Sequence, residues 1–167
     1  IMNPATGSMQ NKQVPVSFEL VNTIDLIEME EEVVSGISYL QIDNKGNLYF
    51  IDSRASRLYS LNPEGELRWA TGQEGKGPGD FENPFGMSLY EGHLYISNII
   101  GSRIDQFDLQ GNFIRSYDMP KGVQFVSLEN FTPNGNILAT SANFGTVGAK
   151  IYTLALQDSM RIITQFN

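Results

Sequence analysis

Short runs of strand-forming residues recur along this chain in groups of four. Between residues 85 and 117 the runs are Phe85–Tyr90, His93–Asn98, Arg103–Asp108 and Phe113–Tyr117. Short gaps separate them: Glu91-Gly92, Ile100-Gly101-Ser102 and Gln110-Gly111-Asn112. Each gap carries a glycine where a tight turn must allow positive φ. Four strands joined by short turns predict an antiparallel meander.

The meander repeats. Gly46-Asn47-Leu48-Tyr49-Phe50-Ile51 corresponds to Gly92-His93-Leu94-Tyr95-Ile96-Ser97, 46 positions on, and Gly135-Asn136-Ile137-Leu138-Ala139-Thr140 follows 43 further along. Arg57-Leu58-Tyr59, Arg103-Ile104-Asp105 and Lys150-Ile151-Tyr152 stand 46 and 47 apart. A period in the forties built from four strands is the signature of propeller blades rather than helical solenoids. The predicted fold class is therefore all-β, a β-propeller of four-stranded antiparallel blades, with three blades in this chain. The blades span about 36–70, 85–117 and 124–166, inside a propeller unit of 14–167. Val14–Glu28 alternates as one or two further strands. Residues 1–13 read as a flexible tail, in which Gly7-Ser8-Met9 looks like a cloning scar. Copy three is irregular. Asp52 to Arg57 and Asn98 to Arg103 are each 5 positions, whereas Ser141 to Lys150 is 9, which places an inserted loop at Ala142–Ala149.

The motif carried by Gly75, Gly77, Gly79, Phe81, Pro84, Gly86, Tyr95, Asn98, Arg103, Ile104, Phe107, Asp108, Gly111 and Phe113 resembles the NHL-type repeat of six-bladed β-propellers. Copy one matches it from Asp43 to Trp69, and the likeness covers roughly residues 35–166. It implies that three blades are half of a six-bladed ring. An open arc would leave two apolar blade faces in water. The expected partner is therefore a second copy of the chain, closing the ring head to tail as a homodimer, or the missing half of a longer propeller. The scaffold hosts unrelated activities, so the resemblance speaks to fold more than to function. In such folds the upper face, which carries the blade connectors and the loops between second and third strands, is where ligands bind.

Composition narrows the partners. A net charge of −8 and the absence of any basic cluster argue against nucleic acid, although some NHL-type domains bind RNA. The acidic run Glu28–Glu32 reads as a solvated loop. No stretch approaches the roughly 18 apolar residues of a membrane span. The chain has no cysteine, which excludes disulfides, thiolate metal sites and cysteine nucleophiles. That absence says little about compartment, since exported bacterial propellers can lack cysteine too: the compartment stays open, with a bacterial periplasmic or extracellular place suspected.

Few residues point to chemistry. In Gly72–Gly79 the lysine sits between glycines and a strand follows, so this is a connector rather than a phosphate loop. Asp43–Asn47 lacks the spaced ligands of a calcium loop and reads as a hairpin turn. His93 is the one histidine, and its place beside a turn, opposite the upper face, leaves a triad or zinc site without support. Asp52, Asn98 and Ser141 share a repeat position at the ends of second strands. They either cap those corners by accepting local N–H groups or line an oxygen-rich pocket. The expectation is a non-catalytic binding or scaffold module that needs no cofactor. Its upper face engages a protein, peptide or glycan through Arg54, Ser56, Lys76, Asn98, Ile100, Asn143 and Phe144. The alternative, implied by likeness to gluconolactonase-type propellers, is a calcium-dependent lactonase-like or lyase-like enzyme holding Ca2+ with Asp52, Asn98, Glu82 and Asn83.

Overall fold

The computed structural model of the chain describes residues 19–20, 23–24, 34–121, 123, 126–142, 149–156 and 161–166. Among them are three antiparallel sheets, each of four strands in chain order. The first holds β1 (Ser38–Ile42), β2 (Leu48–Asp52), β3 (Arg57–Leu61) and β4 (Leu67–Thr71). The second holds β5 (Pro84–Tyr90), β6 (His93–Asn98), β7 (Arg103–Asp108) and β8 (Phe113–Asp118). The third holds β9 (Val126–Phe131), β10 (Asn136–Ala142), β11 (Ala149–Ala155) and β12 (Arg161–Phe166). These are the three blades of the repeat, with bounds within two residues of those read from the sequence. The repeat also holds at the level of register: Asp52 pairs with Arg57, Asn98 with Arg103 and Ser141 with Lys150.

The first strands are innermost, with β5 in contact with both β1 and β9. The approach to β9 explains a motif glycine. Gly86 has φ +108°, and a Cβ there would stand 2.6 Å from the Leu128 backbone nitrogen.

Blade faces pack on one another through apolar side chains. Tyr49, Ile51 and Leu58 of blade one meet Met87, Leu94, Ile96 and Phe107 of blade two, around the fully buried Phe81 of the connector. Tyr95 and Ile104 of blade two meet Leu128, Ile137, Ala139, Tyr152 and Leu154 of blade three. On the far face of blade one, Phe50, Tyr59 and Leu61 are buried with Ile24 and Val34 against them. The strands expected over Val14–Glu28 fall mostly outside the described residues. The described ones, 19–20 and 23–24, are not in a strand.

Hairpin turns on the lower face share one chemistry. Asp43, Asn62 and Asp108 each accept, on one side-chain oxygen, the N–H groups two and four residues on, at 2.8–3.1 Å. This is how Asx residues build turns. The Asp43 carboxylate is further occupied by the Asn47 amide (2.8 Å) and the Tyr49 hydroxyl (3.0 Å), so Asp43–Asn47 is a hairpin turn. The upper loops correct one expectation. In Ile100-Gly101-Ser102 the positive φ belongs to Ser102 (48°), as it does to Ser56 (52°) one repeat earlier, and not to Gly101. Gly101 is small because a Cβ would come within 3.1 Å of Arg103 Nη1 and 3.2 Å of Glu82 Oε2.

Candidate functional site

The upper corners of blades one and two are each clamped by the residue that ends the second strand. Gly36 N–H donates to the Asp52 carboxylate (3.1 Å), and Glu82 N–H, one repeat later, donates to Asn98 Oδ1 (2.8 Å). Asp52 also accepts from the Ser35 amide and hydroxyl, and from the amides of Arg54 (3.0 Å) and Ala55 (3.1 Å). Burial pushes its carboxyl up, but these hydrogen bonds outweigh that and hold it below the usual carboxylate range. The Ser53–Ser56 loop is thereby fixed before any ligand arrives. Asn98 uses its amide group on the Asp105 carboxylate and the Asp80 carbonyl (3.4 Å).

The connector between the two blades, residues 72–83, is stapled by Arg103. Its Nε is 3.1 Å from the buried Asp105, and Nη2 donates to the carbonyls of Asp80 (2.9 Å) and Gly77 (3.4 Å). Asp105 also accepts from Ser116. Asp80 accepts from Gly77 N–H (3.0 Å), and Phe81 N–H donates to the Gln73 carbonyl (2.8 Å), folding the glycine-rich stretch into a compact loop. On its other side Ile100 N–H donates to the Glu82 carbonyl (3.3 Å), which anchors the β6–β7 loop.

Three fixed loops therefore enclose one cavity of about 380 Å³, lined by Ser53, Arg54 and Ser56, by Glu74, Gly75 and Lys76, and by Glu82, Asn83 and Ile100. That is within the roughly 300–1,000 Å³ range of small-ligand sites. Glu82 lies 3.8 Å from Lys76 Nζ and 3.9 Å from Arg103 Nη1. Ile100 is 66% exposed at the rim. Ser56 and Asn83 hold left-handed backbone conformations (φ 52° and 60°) that non-glycine residues rarely adopt.

Of the residues expected to bind, Arg54, Ser56, Lys76 and Ile100 meet at this cavity. Asn98 lies beneath it, buried and bonded as a corner clamp. Asn143 and Phe144 lie outside the described residues. Ser53 and Glu74 line the cavity without having been singled out, Gly75 was noted only as a repeat glycine, and Arg103 and Asp105 support the cavity from behind. His93 sits at the opposite end of β6, its Nδ1 2.9 Å from the Glu91 carbonyl.

The residues considered for calcium do not fit that ion as they stand. A calcium site needs six to eight oxygens at about 2.3–2.6 Å. Here the oxygens of Asp52 and Asn98 are taken by N–H groups, and Glu82 faces two cations. Among the described residues no cluster of three or more His, Asp or Glu could hold a metal.

No family model matches the chain. It is similar to NHL repeat-containing protein 3 of Mus musculus, at 27% identity over 104 residues, which is 59% of this chain and 30% of the mouse protein. Among solved structures, a catalytically inactive virginiamycin B lyase from Staphylococcus aureus with quinupristin is similar at TM-score 0.59 and 18% identity, over 86% of this chain and 46% of the lyase. A streptogramin B lyase gives 0.58 at 14% identity, over 75% and 39%. A Bacteroides fragilis protein gives 0.62 at 18% identity, over 77% and 38%. At these identities the likeness bears on fold alone. The chain thus spans 30% of its curated relative and less than half of each of these structures. The repeat, its register and these likenesses agree: the chain carries three blades of a β-propeller, with a repeat similar to the NHL type.

Proposed function

We propose that this chain is a non-catalytic binding or scaffold module whose upper face, at the junction of blades one and two, engages a protein, peptide or glycan. One observation carries the reading: Arg54, Ser56, Lys76 and Ile100 come from three separate loops and converge on one cavity whose walls are already hydrogen-bonded in place. A preformed wall lowers the ordering cost of binding. The carboxylate and amide best suited to chemistry, Asp52 and Asn98, are committed to holding the loops. The test is a peptide and glycan array probed with the protein and with an Arg54→Ala, Lys76→Ala, Ile100→Ala variant of unchanged circular dichroism. Hits lost in the variant support the reading, and hits that survive it unchanged overturn it.

The same reading includes closure of the ring. Leu138 pairs with Thr153, and Thr140 with Ile151, on the face of blade three turned away from blade two. Ile151 is 43% exposed there. A second copy, or further blades of a longer chain, would cover this face. Light scattering at two concentrations tests the two-copy form. A mass near twice the 18.6 kDa chain, returned to one chain mass by Ile151→Asp, is the expected result. A single-chain mass at both concentrations excludes it.

A further inference from the structure

We propose that the cavity at the blade one–blade two junction recognises a carboxylate that has an apolar neighbour within a peptide, with Arg54 holding the carboxylate and Ile100 the apolar group. The inference rests on the cavity being the binding site and adds the chemistry of what enters. The walls carry four charges: Arg54 and Lys76 against Glu74 and Glu82. Glu82 is already matched twice, by Lys76 at 3.8 Å and Arg103 at 3.9 Å. Arg103 in turn is occupied by Asp105 and by connector carbonyls. Arg54 differs from both neighbouring cations. Its backbone is pinned by Asp52 (3.0 Å), while its exposed side chain has no hydrogen bond or ion pair among the described residues.

A planar guanidinium on a fixed backbone presents two parallel N–H donors, the geometry that takes a carboxylate in bidentate fashion. Lys76, with an 86% exposed side chain, adds a second positive charge at the mouth. Glu74 on the same wall and the net charge of −8 repel a run of acidic residues. What remains favourable is one carboxylate beside an aliphatic group, which covers the exposed Ile100 side chain. Ser56 lines the same wall, while the Ser53 hydroxyl is already spent on the Pro84 carbonyl (3.3 Å).

The carboxylate can belong to an Asp or Glu side chain or to a chain terminus, and three probes separate these. They are acetyl-Leu-Asp-amide, acetyl-Asn-Leu with a free terminal carboxylate, and the neutral acetyl-Leu-Asn-amide, each titrated to millimolar concentration against the nitrogen-15-labelled chain. The expected result is that at least one charged probe moves the amide resonances of Arg54, Lys76 and Ile100, with the neutral probe about tenfold weaker. Arg54→Gln then brings the charged probes down to the neutral one. Shifts with acetyl-Asn-Leu alone assign a chain terminus, and shifts with acetyl-Leu-Asp-amide alone assign an acidic side chain. Equal shifts with all three, unchanged in Arg54→Gln, overturn the carboxylate anchor while leaving the cavity as a binding site. No shift at these residues with any probe overturns both.

Discussion

The two blade junctions are built from the same repeat and end differently at the top. Between blades one and two the connector is twelve residues long (72–83), and it stands off the sheets on an Arg103–Asp105–Asn98 network that leaves a polar cavity. Between blades two and three it is seven residues long (119–125), and Val123 is buried in the junction itself. Below the roof the junctions are alike. Phe81, Phe107 and Phe113 pack at 5.7 Å centroid spacing in the first, and Tyr90 stacks on Phe131 at 4.3 Å in the second. Packing between sheets thus holds the fold in the same way at both junctions, while the longer, stapled connector of the first frames the cavity found there.

The largest break in this comparison is Phe107→Asp. The ring is 1% exposed between two blades and touches two other aromatics. Truncating a buried Phe costs about 3–5 kcal/mol, and an unpaired buried charge adds to that. The variant is expected to lose cooperative unfolding in a thermal melt. A folded variant with an unchanged melting temperature would mean that the strand register is wrong.

Arg103→Ala separates the junctions. It removes one partner of a buried pair and releases three connector carbonyls, at a cost of about 3 kcal/mol. Hydrogen exchange is expected to speed up across 72–83 and not at Met119, whose N–H donates to the Ser102 carbonyl at 2.8 Å. Equal acceleration at both sites would mean that the roofs are not independent.

Asn98→Asp asks why equivalent corners carry different residues. In blade one, position 59 is Tyr, and among the described residues Asp52 faces N–H and hydroxyl donors. In blade two the corresponding residue is Asp105, and Asn98 must donate to it. A carboxylate at 98 loses that charged hydrogen bond, at about 2 kcal/mol, and faces a like charge. Its pH signature is opposite to that of the native chain. Hydrogen bonds hold Asp52, Asp43 and Asp108 below the usual carboxylate range despite burial. Their contribution is present above about pH 4 and is lost as pH falls through their folded values. The introduced carboxylate is destabilising when charged, so the gap between variant and wild type should close on acidification. Parallel stability curves from pH 7 to 3 would refute the pairing.

Much of this was legible in the chain. The period gave the blades because four strands per copy leave Gly46, Gly111 and Gly135 in fixed turn positions, where φ of 83°, 86° and 75° demands glycine. The upper face came from the resemblance to NHL-type propellers, which is what makes Arg54, Ser56, Lys76 and Ile100 candidates. The repeat could not say which residues at equivalent positions stay free. Asn98 reads like a ligand until Asp105 is seen beneath it. The signal was present as a break in the repeat, a carboxylate in mid-strand where copy one has Tyr59. Glu74 and Ser53 escaped notice because nothing in their spacing sets them apart, and only the fold of the connector brings them together.

The smallest expected effect bears most directly on chemistry. If the first roof held calcium, a millimolar addition would stabilise the folded chain in proportion to its saturation, by about 2.7 kcal/mol at a hundredfold excess over the dissociation constant. To bind there, the ion would have to displace the amides of Arg54 and Ala55 from Asp52 and sit beside Lys76 and Arg103, the cations already flanking Glu82. Those displaced N–H groups would lose their partners, which opposes binding. The melting temperature is therefore expected to stay constant on adding calcium, in the wild type and in Lys76→Ala alike. A rise in either would show that the corner carboxylate is available as a ligand. The first junction would then differ from the second in holding a metal as well as in the length of its connector.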